Sequence, residues 1–476
     1  MAYKTLVGLE IHVELSTKTK IFCGCSNEFG KDANTQCCPV CLGLPGAMPV
    51  LNKAVVEYAI KAGLAFNCDI ATETRMDRKN YFYPDLVKGF QISQNDIPLC
   101  SNGYIEIDTE DGPKKIRIRR IHIEEDTGKS IHTESGDSLL DYNRSGVPLI
   151  EIVTEPDMNS KEEAQKFLDS LKSTLQYIEV SDCKMEEGSL RCDINLNVVD
   201  EERNIKSKIT EIKNLNSFSA VGKAIEYEVE RHIALLEEGK DTERETRRWN
   251  ELENKTVVMR TKEEAADYRY GVEPDIAPIK IDPQWIEDIR NTMPELPRNK
   301  KTRFIKEYNL PEYDAEVLTQ SKELSFFFEE TVKLSDDPKQ VSNWVMGDVL
   351  RRLNDEGIEV KDLKFTPKDL ADLLKLINEG KISNNIGKKV LREMFETGKK
   401  PDDIVKEQGL VQISDESELR DVVAKVLEEN EQSVIDYKNG KTRALGFLIG
   451  QVMKATKGKA NPQLVNKIVA EMLEEK

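Results

Sequence analysis

Up to Val199, hydrophobic and polar residues alternate in short runs: Thr5–Leu15, Gly103–Thr109, Lys115–Ile123, Leu149–Thr154 and Asp193–Val199. A period of two predicts strands with one buried face. Asn102-Gly103 and Asp111-Gly112-Pro113 separate some of these runs, which is the turn chemistry of hairpins and meanders. Helical spacing interrupts the pattern over Asn52–Phe66, where Val55, Tyr58, Ala59 and Ala62 share a face, and again over Ser160–Tyr177 and Phe218–Glu238. Ser160 followed by Glu163 predicts a capping box.

After Pro294 the helical period takes over. It predicts helices over Pro297–Glu307, Asp314–Lys322, Glu323–Leu334, Gln340–Asn354, Thr366–Asn378 and Asn384–Thr397. Thr366-Pro367 is a cap followed by proline at the first helical position. Ile404–Gln412 reads as a connector into a last helical unit, Asp415–Lys476. There Thr442–Ala455 and Pro462–Glu474 are predicted helices, joined by a turn at Lys457–Asn461. The fold class is therefore α+β. A domain built around a mostly antiparallel β-sheet covers residues 1–295, an all-α domain 296–405, and a small α-helical tail 406–476. The chain carries no internal repeat and no low-complexity segment.

A chain of 476 residues suits two to four domains at roughly 100–200 residues each. It has no run of ~18 apolar residues and no basic segment leading into an apolar one at its start, so a cytoplasmic protein is expected. The net charge of −18, taken alone, argues against a nucleic-acid binder. Its distribution changes that picture. From Tyr437 to Ala470 there is no acidic residue, while Lys438, Lys441, Arg443, Lys454, Lys457, Lys459 and Lys467 fall there. An acidic body with a basic tail points to polyanion contacts in the tail; the plainer reading is that the lysines keep the last domain soluble.

Five of the nine cysteines lie between Cys23 and Cys41. The pattern is Cys23-x-Cys25, twelve residues, then Cys38-x-x-Cys41. Four thiolates satisfy tetrahedral Zn²⁺, and Pro39 and Gly43 fit the tight turn such a half-site needs. A tetrathiolate leaves no open position, so the site is read as structural. Cys37 is a possible substitute ligand, and four unrelated buried thiols are the alternative.

Glu10 and His12 sit two apart on the first alternating run and so share a face, opposite Val7, Leu9, Ile11 and Val13. Other carboxylates interrupt or end apolar strands: Glu124-Glu125-Asp126, Glu151, Asp193 and Glu211. A carboxylate on an apolar strand is costly without a cation or hydrogen bonds. One such residue is commonly a structural ion pair. Several, with an imidazole, suit Mg²⁺ or Mn²⁺ bridging to nucleotide phosphates. No G-x-x-x-x-G-K-[ST], G-x-G-x-x-G after a strand, or G-x-S-x-G occurs, so ATP, if used, is not held by a P-loop.

Longer strings carry a resemblance: GLEIHVEL (Gly8–Leu15), DRKNYFYPDL (Asp77–Leu86), GFQISQ (Gly89–Gln94), HIEEDTGKS (His122–Ser130) and DYNRSGVPLIEIVTEPD (Asp141–Asp157). VSDCKMEEGSLRCDIN (Val180–Asn195), EIKNLNSF (Glu211–Phe218) and GFLIGQVMKATKGKANPQLVN (Gly446–Asn466) extend it. From Gly8 to its end the chain resembles the GatB family, the B subunits of the tRNA-dependent amidotransferase. The resemblance implies a ligase working as a heterotrimer. The A subunit is a glutaminase that releases ammonia, and a small C subunit wraps and supports the other two. The B subunit phosphorylates the side-chain carboxylate of Glu or Asp on misacylated tRNA with ATP, and ammonia displaces the phosphate. The fold implied is an N-terminal cradle, a helical domain and a YqeY-like tail. The family's catalytic residues match Glu10, His12, Glu125 and Glu151, and its Mg²⁺ or Mn²⁺ ligands match these together with Asp193 and Glu211. Lys79 and Tyr81 are candidates for the mouth of an ammonia path, or for a loop that packs on a partner. Lys441, Arg443, Lys454, Lys457 and Lys459 are candidate tRNA contacts. A non-catalytic tRNA-binding scaffold is the competing function. One departure stands out: Tyr268-Arg269-Tyr270 is followed by Gly271-Val272, where the family usually has Phe-Pro before Glu-Pro-Asp.

Overall fold

The strands that shape the first part of the chain are β1 (Lys4–Glu14), β2 (Asp77–Asn80), β3 (Phe90–Ser93), β4 (Cys100–Thr109) and β5 (Gly112–Glu125). They continue with β6 (Pro148–Thr154), β7 (Leu190–Asp200), β8 (Thr210–Leu215), β9 (Glu245–Asn250) and β10 (Lys255–Thr261). In this computed structural model every residue is described except 1–2, 134, 241, 262–267, 336, 411–415, 440, 442, 457–459 and 476. β1 runs through the middle of a ten-stranded sheet of order β10-β9-β8-β7-β1-β6-β5-β4 and then Asp69–Ile70, with Ile205–Lys206 paired to β7. The alternation seen in the sequence sets its orientation. Val7, Leu9, Ile11 and Val13 are buried in one core with Ile123, Ile150, Ile152, Ile194 and Leu196, and helices α1 (Lys53–Ala65), α2 (Lys161–Tyr177) and α3 (Phe218–Glu237) supply its other wall. Burial of about 25 cal/mol per Å² of apolar surface makes this face the main source of cohesion.

β8 and β9 pair in parallel while every other pairing of the described sheet is antiparallel. A parallel pair needs a crossover, and α3 provides it. Ser160 caps α2 by accepting from Glu163 N (3.2 Å), but the Glu163 carboxylate turns to Asn159 N and Lys114 Nζ (both 2.7 Å), so the predicted box closes on one side only. Asn102-Gly103, read as a turn, lies inside β4. Asn102 takes a left-handed φ of 56° there, and a Cβ on Gly103 would stand 2.6 Å from the Phe66 carbonyl oxygen. The glycine serves close approach, not reversal.

Met1–Leu296 forms one compact unit and Pro297–Lys476 another. The second unit is helical throughout its described elements and contains two apolar cores, one drawn from Phe304–Val405 and one from Leu419–Leu473. The helix expected over Gln340–Asn354 is broken: Pro338–Trp344 and Leu350–Glu356 flank a π-helical turn at Val345–Val349. The connector expected at Ile404–Gln412 begins inside a short helix, Pro401–Glu407, whose Ile404 and Val405 are buried. Two helices, Glu416–Glu429 and Glu431–Lys438, precede Arg443–Ala455 and Pro462–Glu475. No described helix is long and apolar enough to cross a membrane.

Candidate active site

The second face of the same sheet is polar. Glu10, His12 and Glu14 project from β1 on alternate positions. The register sets His12 opposite Glu151 of β6 and Arg191 of β7, Glu10 opposite Asp193, and Glu151 opposite His122 of β5. His122 carries Glu124 along with it, two residues on. The result is a ring of two imidazoles and two carboxylates. His12 Nε2 lies 3.2 Å from Glu124 and 3.6 Å from Glu151, and His122 Nε2 lies 3.2 Å from Glu151 and 3.6 Å from Glu124. Ligand atoms of Glu10, His12 and Glu151, and of His122, Glu124 and Glu151, gather within 4.8 Å of one another.

Burial pulls His12 toward the neutral form, but the hydrogen bond and charge of Glu124, with the charge of Glu151, outweigh it and lift its pKa to about 9. Burial opposes ionisation of Glu124, yet hydrogen bonds from His12 and His122 hold it well below the carboxylate range. Carboxylate oxygens with imidazole nitrogen are the donor set of Mg²⁺ or Mn²⁺. Among the described residues His122 Nδ1 is buried without a hydrogen-bond partner, so the ring keeps an unused polar atom. An imidazolium must lose its proton before it can ligate a metal. Because His12 is protonated at pH 7, Mn²⁺ binding there is expected to release about one proton per ion. Calorimetry in buffers of different ionisation enthalpy reads this directly; binding with no buffer dependence contradicts it.

Glu125 requires a correction. It shares the opposite side of β5 with Ile123, where its carboxylate accepts from Lys88 Nζ (2.5 Å) and from Ile92 N (2.9 Å). It does not join Glu10, His12 and Glu151; Glu124 does. Asp193 and Glu211 form a second lobe, bridged by Lys213 Nζ at 2.5 Å and 3.1 Å. A cavity of about 320 Å³ joins the lobes, lined among others by Glu10, His12, Glu124, Arg191, Asp193, Glu211 and Lys213. Lys79, Tyr81 and Tyr268 also line it. The Lys79 ammonium sits 4.8 Å from the Tyr268 ring centre and 5.9 Å from that of Tyr81. The Gly271-Val272 departure pairs with Arg78-Asp77, and Glu273 grips Arg78 at 2.8 Å, so this altered segment is held against β2 next to Tyr268.

His122, Arg191, Lys213 and Tyr268 were not singled out as site residues in the sequence, and Glu124 only as part of its run of three carboxylates. The two-residue period was sufficient to place His122 and Glu124 with Glu151, since Ile121 and Ile123 mark the buried side of their strand.

Cys23, Cys25, Cys38 and Cys41 converge, with sulfur atoms within 4.8 Å of one another. Cys41 Sγ is 3.8 Å from Cys38 Sγ and 4.0 Å from Cys25 Sγ. A tetrahedron with Zn–S of about 2.3 Å has sulfur edges of about 3.8 Å. The hydrogen bond from Cys23 to Cys41 holds the Cys41 thiol below its usual range and raises that of Cys23, so the two share one proton between them. Cys37 stands apart, its sulfur 3.9 Å from Asn143 Oδ1. In the tail, Lys441, Arg443 and Lys454 are exposed, Lys441 being paired with Asp436 at 3.0 Å. Lys457 and Lys459 lie outside the described residues.

Residues 5–287 match the family model described as the GatB/GatE catalytic domain, and residues 326–473 match that of the GatB domain. The second match starts within the helical segment and so extends well beyond the last four helices. The chain is 58% identical over 99% of both chains to a Clostridium botulinum protein, the B subunit of aspartyl/glutamyl-tRNA(Asn/Gln) amidotransferase. Proteins of the same name from Thermoanaerobacter and Finegoldia magna are 59% and 56% identical, over 99% of this chain and all of theirs. Fold, acid face and these matches together define an α+β amidotransferase component. The chain belongs to the GatB family.

Proposed function

We propose that this chain is the carboxylate-activating subunit of a tRNA-dependent amidotransferase. ATP phosphorylates the side-chain carboxylate of Glu on tRNA(Gln), Asp on tRNA(Asn), or both, and ammonia then displaces the phosphate to give the amide. The convergence of Glu10, His12, Glu124, Glu151, Asp193 and Glu211 on one sheet face carries this reading. A free carboxylate is a poor acyl donor because its leaving group would be oxide; phosphorylation replaces that with phosphate. Mg²⁺ or Mn²⁺ would be held by His12, Glu124 and Glu151 with Glu10 in one lobe and by Asp193 and Glu211 in the other, and would neutralise the triphosphate charge. The protein's own part is to fix those ligands on rigid strands and to close the cavity to water.

Lys79 and Tyr81 are assigned to the mouth of the path by which ammonia arrives from the A subunit, with the C subunit holding the pair together. The Cys23, Cys25, Cys38 and Cys41 knuckle takes structural Zn²⁺. The division is a catalytic cradle at 1–295, a helical domain at 296–405 and a tRNA-binding tail at 406–476, in a cytoplasmic heterotrimer. The scaffold reading is set aside because the match over 5–287 is to a catalytic domain.

The test is ATP turnover by the reconstituted trimer with Glu-tRNA(Gln). His12→Ala is expected to abolish tRNA-dependent ATP consumption; normal turnover rejects the site. For the tail, Arg443→Ala and Lys454→Ala are each expected to weaken tRNA binding and to flatten the plot of log affinity against log salt by roughly 0.7–0.9. An unchanged slope would show that these side chains meet no phosphate.

A further inference from the structure

Lys213 occupies the ground between two carboxylates on which a cation is expected. It shares a face of β8 with Glu211, two residues away, and faces Asp193 on β7. Its Nζ stands 2.5 Å from Asp193 and 3.1 Å from Glu211, and its side chain is 31% exposed into the cavity against 20% and 16% for the two acids. The other cations of the cavity are engaged differently. Arg191 is committed to Asp126 at 2.8 Å and Glu14 at 3.6 Å, and Lys79 lies over tyrosine rings. The two histidines balance the Glu124–Glu151 lobe themselves.

We propose that Lys213 is a place-holding cation: its ammonium compensates Asp193 and Glu211 until metal-bound nucleotide arrives, then moves onto a triphosphate oxygen. This rests on the phosphorylation reading above. A divalent ion binds carboxylate oxygens at about 2.1 Å, so ammonium and metal on the same oxygens stand within a few ångströms and repel. A lysine can yield the place because its ammonium is a point charge on a flexible stem with three rotatable donors, unlike the rigid fork of arginine. The cavity beside it gives the stem room. Its effect on metal binding therefore changes sign with nucleotide: it competes with the bare ion and assists the ion–nucleotide complex.

The experiment measures Mn²⁺ binding to the full chain by loss of the free-ion electron paramagnetic resonance signal, with and without a non-hydrolysable ATP analogue. K213M is expected to bind bare Mn²⁺ about tenfold more tightly than wild type, and the Mn²⁺–analogue complex about tenfold less tightly. K213R keeps the charge and should stay near wild type in the bare-ion titration. Removing Lys213 takes its charge from two half-buried carboxylates, leaving Glu211 the hydroxyl of Thr246 among its partners, so K213M should melt lower than wild type without metal and gain more from added Mn²⁺. Equal or weaker bare-ion binding by K213M, or no extra stabilisation by Mn²⁺, overturns the proposal. If wild type binds Mn²⁺ in a His12-dependent manner while K213M behaves identically, only the place-holder falls. If wild type binds no Mn²⁺ at all, the acid-face reading falls with it.

Discussion

Replacing Glu124 with glutamine is expected to lower kcat for tRNA-dependent amidation by about 100- to 1,000-fold while the chain stays folded. Glu124 bridges His12 and His122, so its loss would remove one oxygen of the proposed metal site and the charge that keeps both imidazoles in place. The neighbouring Glu125→Gln is expected to behave differently. Its carboxylate pairs with Lys88, and both side chains are buried at 6% and 17% exposure, so neutralising it strands an ammonium and costs about 3 kcal/mol of stability. Mn²⁺ affinity at the acid face should be unchanged in that variant. Urea midpoints and Mn²⁺ titrations on the two variants separate these effects. A Glu125 variant that loses Mn²⁺ while the Glu124 variant retains it would reverse the assignment.

The second large effect concerns the cysteine knuckle. Cys41→Ala is expected to take zinc content from about one ion per chain to near zero, because three thiolates do not close the tetrahedron. Structural zinc contributes about 10–16 kcal/mol in small finger peptides, so this segment should lose its order and be cut by protease ahead of the sheet. Its other ties are hydrogen bonds to residues 141–145, such as Asn34 N to Asp141 Oδ1, Gln36 N to Asn143 Oδ1 and Ser145 Oγ to Cys41 O, each worth only about 0.5–1.5 kcal/mol. The acid face is built on β1, β5, β6, β7 and β8, so its Mn²⁺ affinity should survive. Metal analysis and limited proteolysis check both halves. A Cys41→Ala chain with full zinc, or with a knuckle as resistant as wild type, would contradict a four-thiolate site.

The sequence patterns located the elements more securely than the side chains. Alternation gave β1, β5, β6 and β7 because a half-buried strand must repeat every two residues, and caps such as Ser160 and Thr366 fixed helix starts. Glu10 and His12 were legible for the same reason. Choosing between Glu124 and Glu125 by face was also within reach, since Ile123 marks the inward side, but the resemblance pointed to Glu125, whose carboxylate pairs with Lys88 on that other side. Tyr268 was not legible. It is held at the cavity by long-range contacts such as Asn80 N to its carbonyl at 2.9 Å, which no local pattern encodes. Lys213 was not legible either, because its meaning depends on the Asp193 carboxylate across the β7–β8 pairing. The π-helical turn at Val345–Val349 was hidden by continuous helical periodicity on both sides.

Everything in the proposed chemistry requires one ion among side chains that lie far apart in the chain. Crystals soaked with Mn²⁺ and a non-hydrolysable ATP analogue, measured at the manganese absorption edge, test this most directly. An anomalous peak is expected about 2.1 Å from His12 Nε2 and from oxygens of Glu124 and Glu151, with a phosphate oxygen on its open side. A peak beside Glu125 instead, or nucleotide bound with the acid face left bare of manganese, would contradict the account.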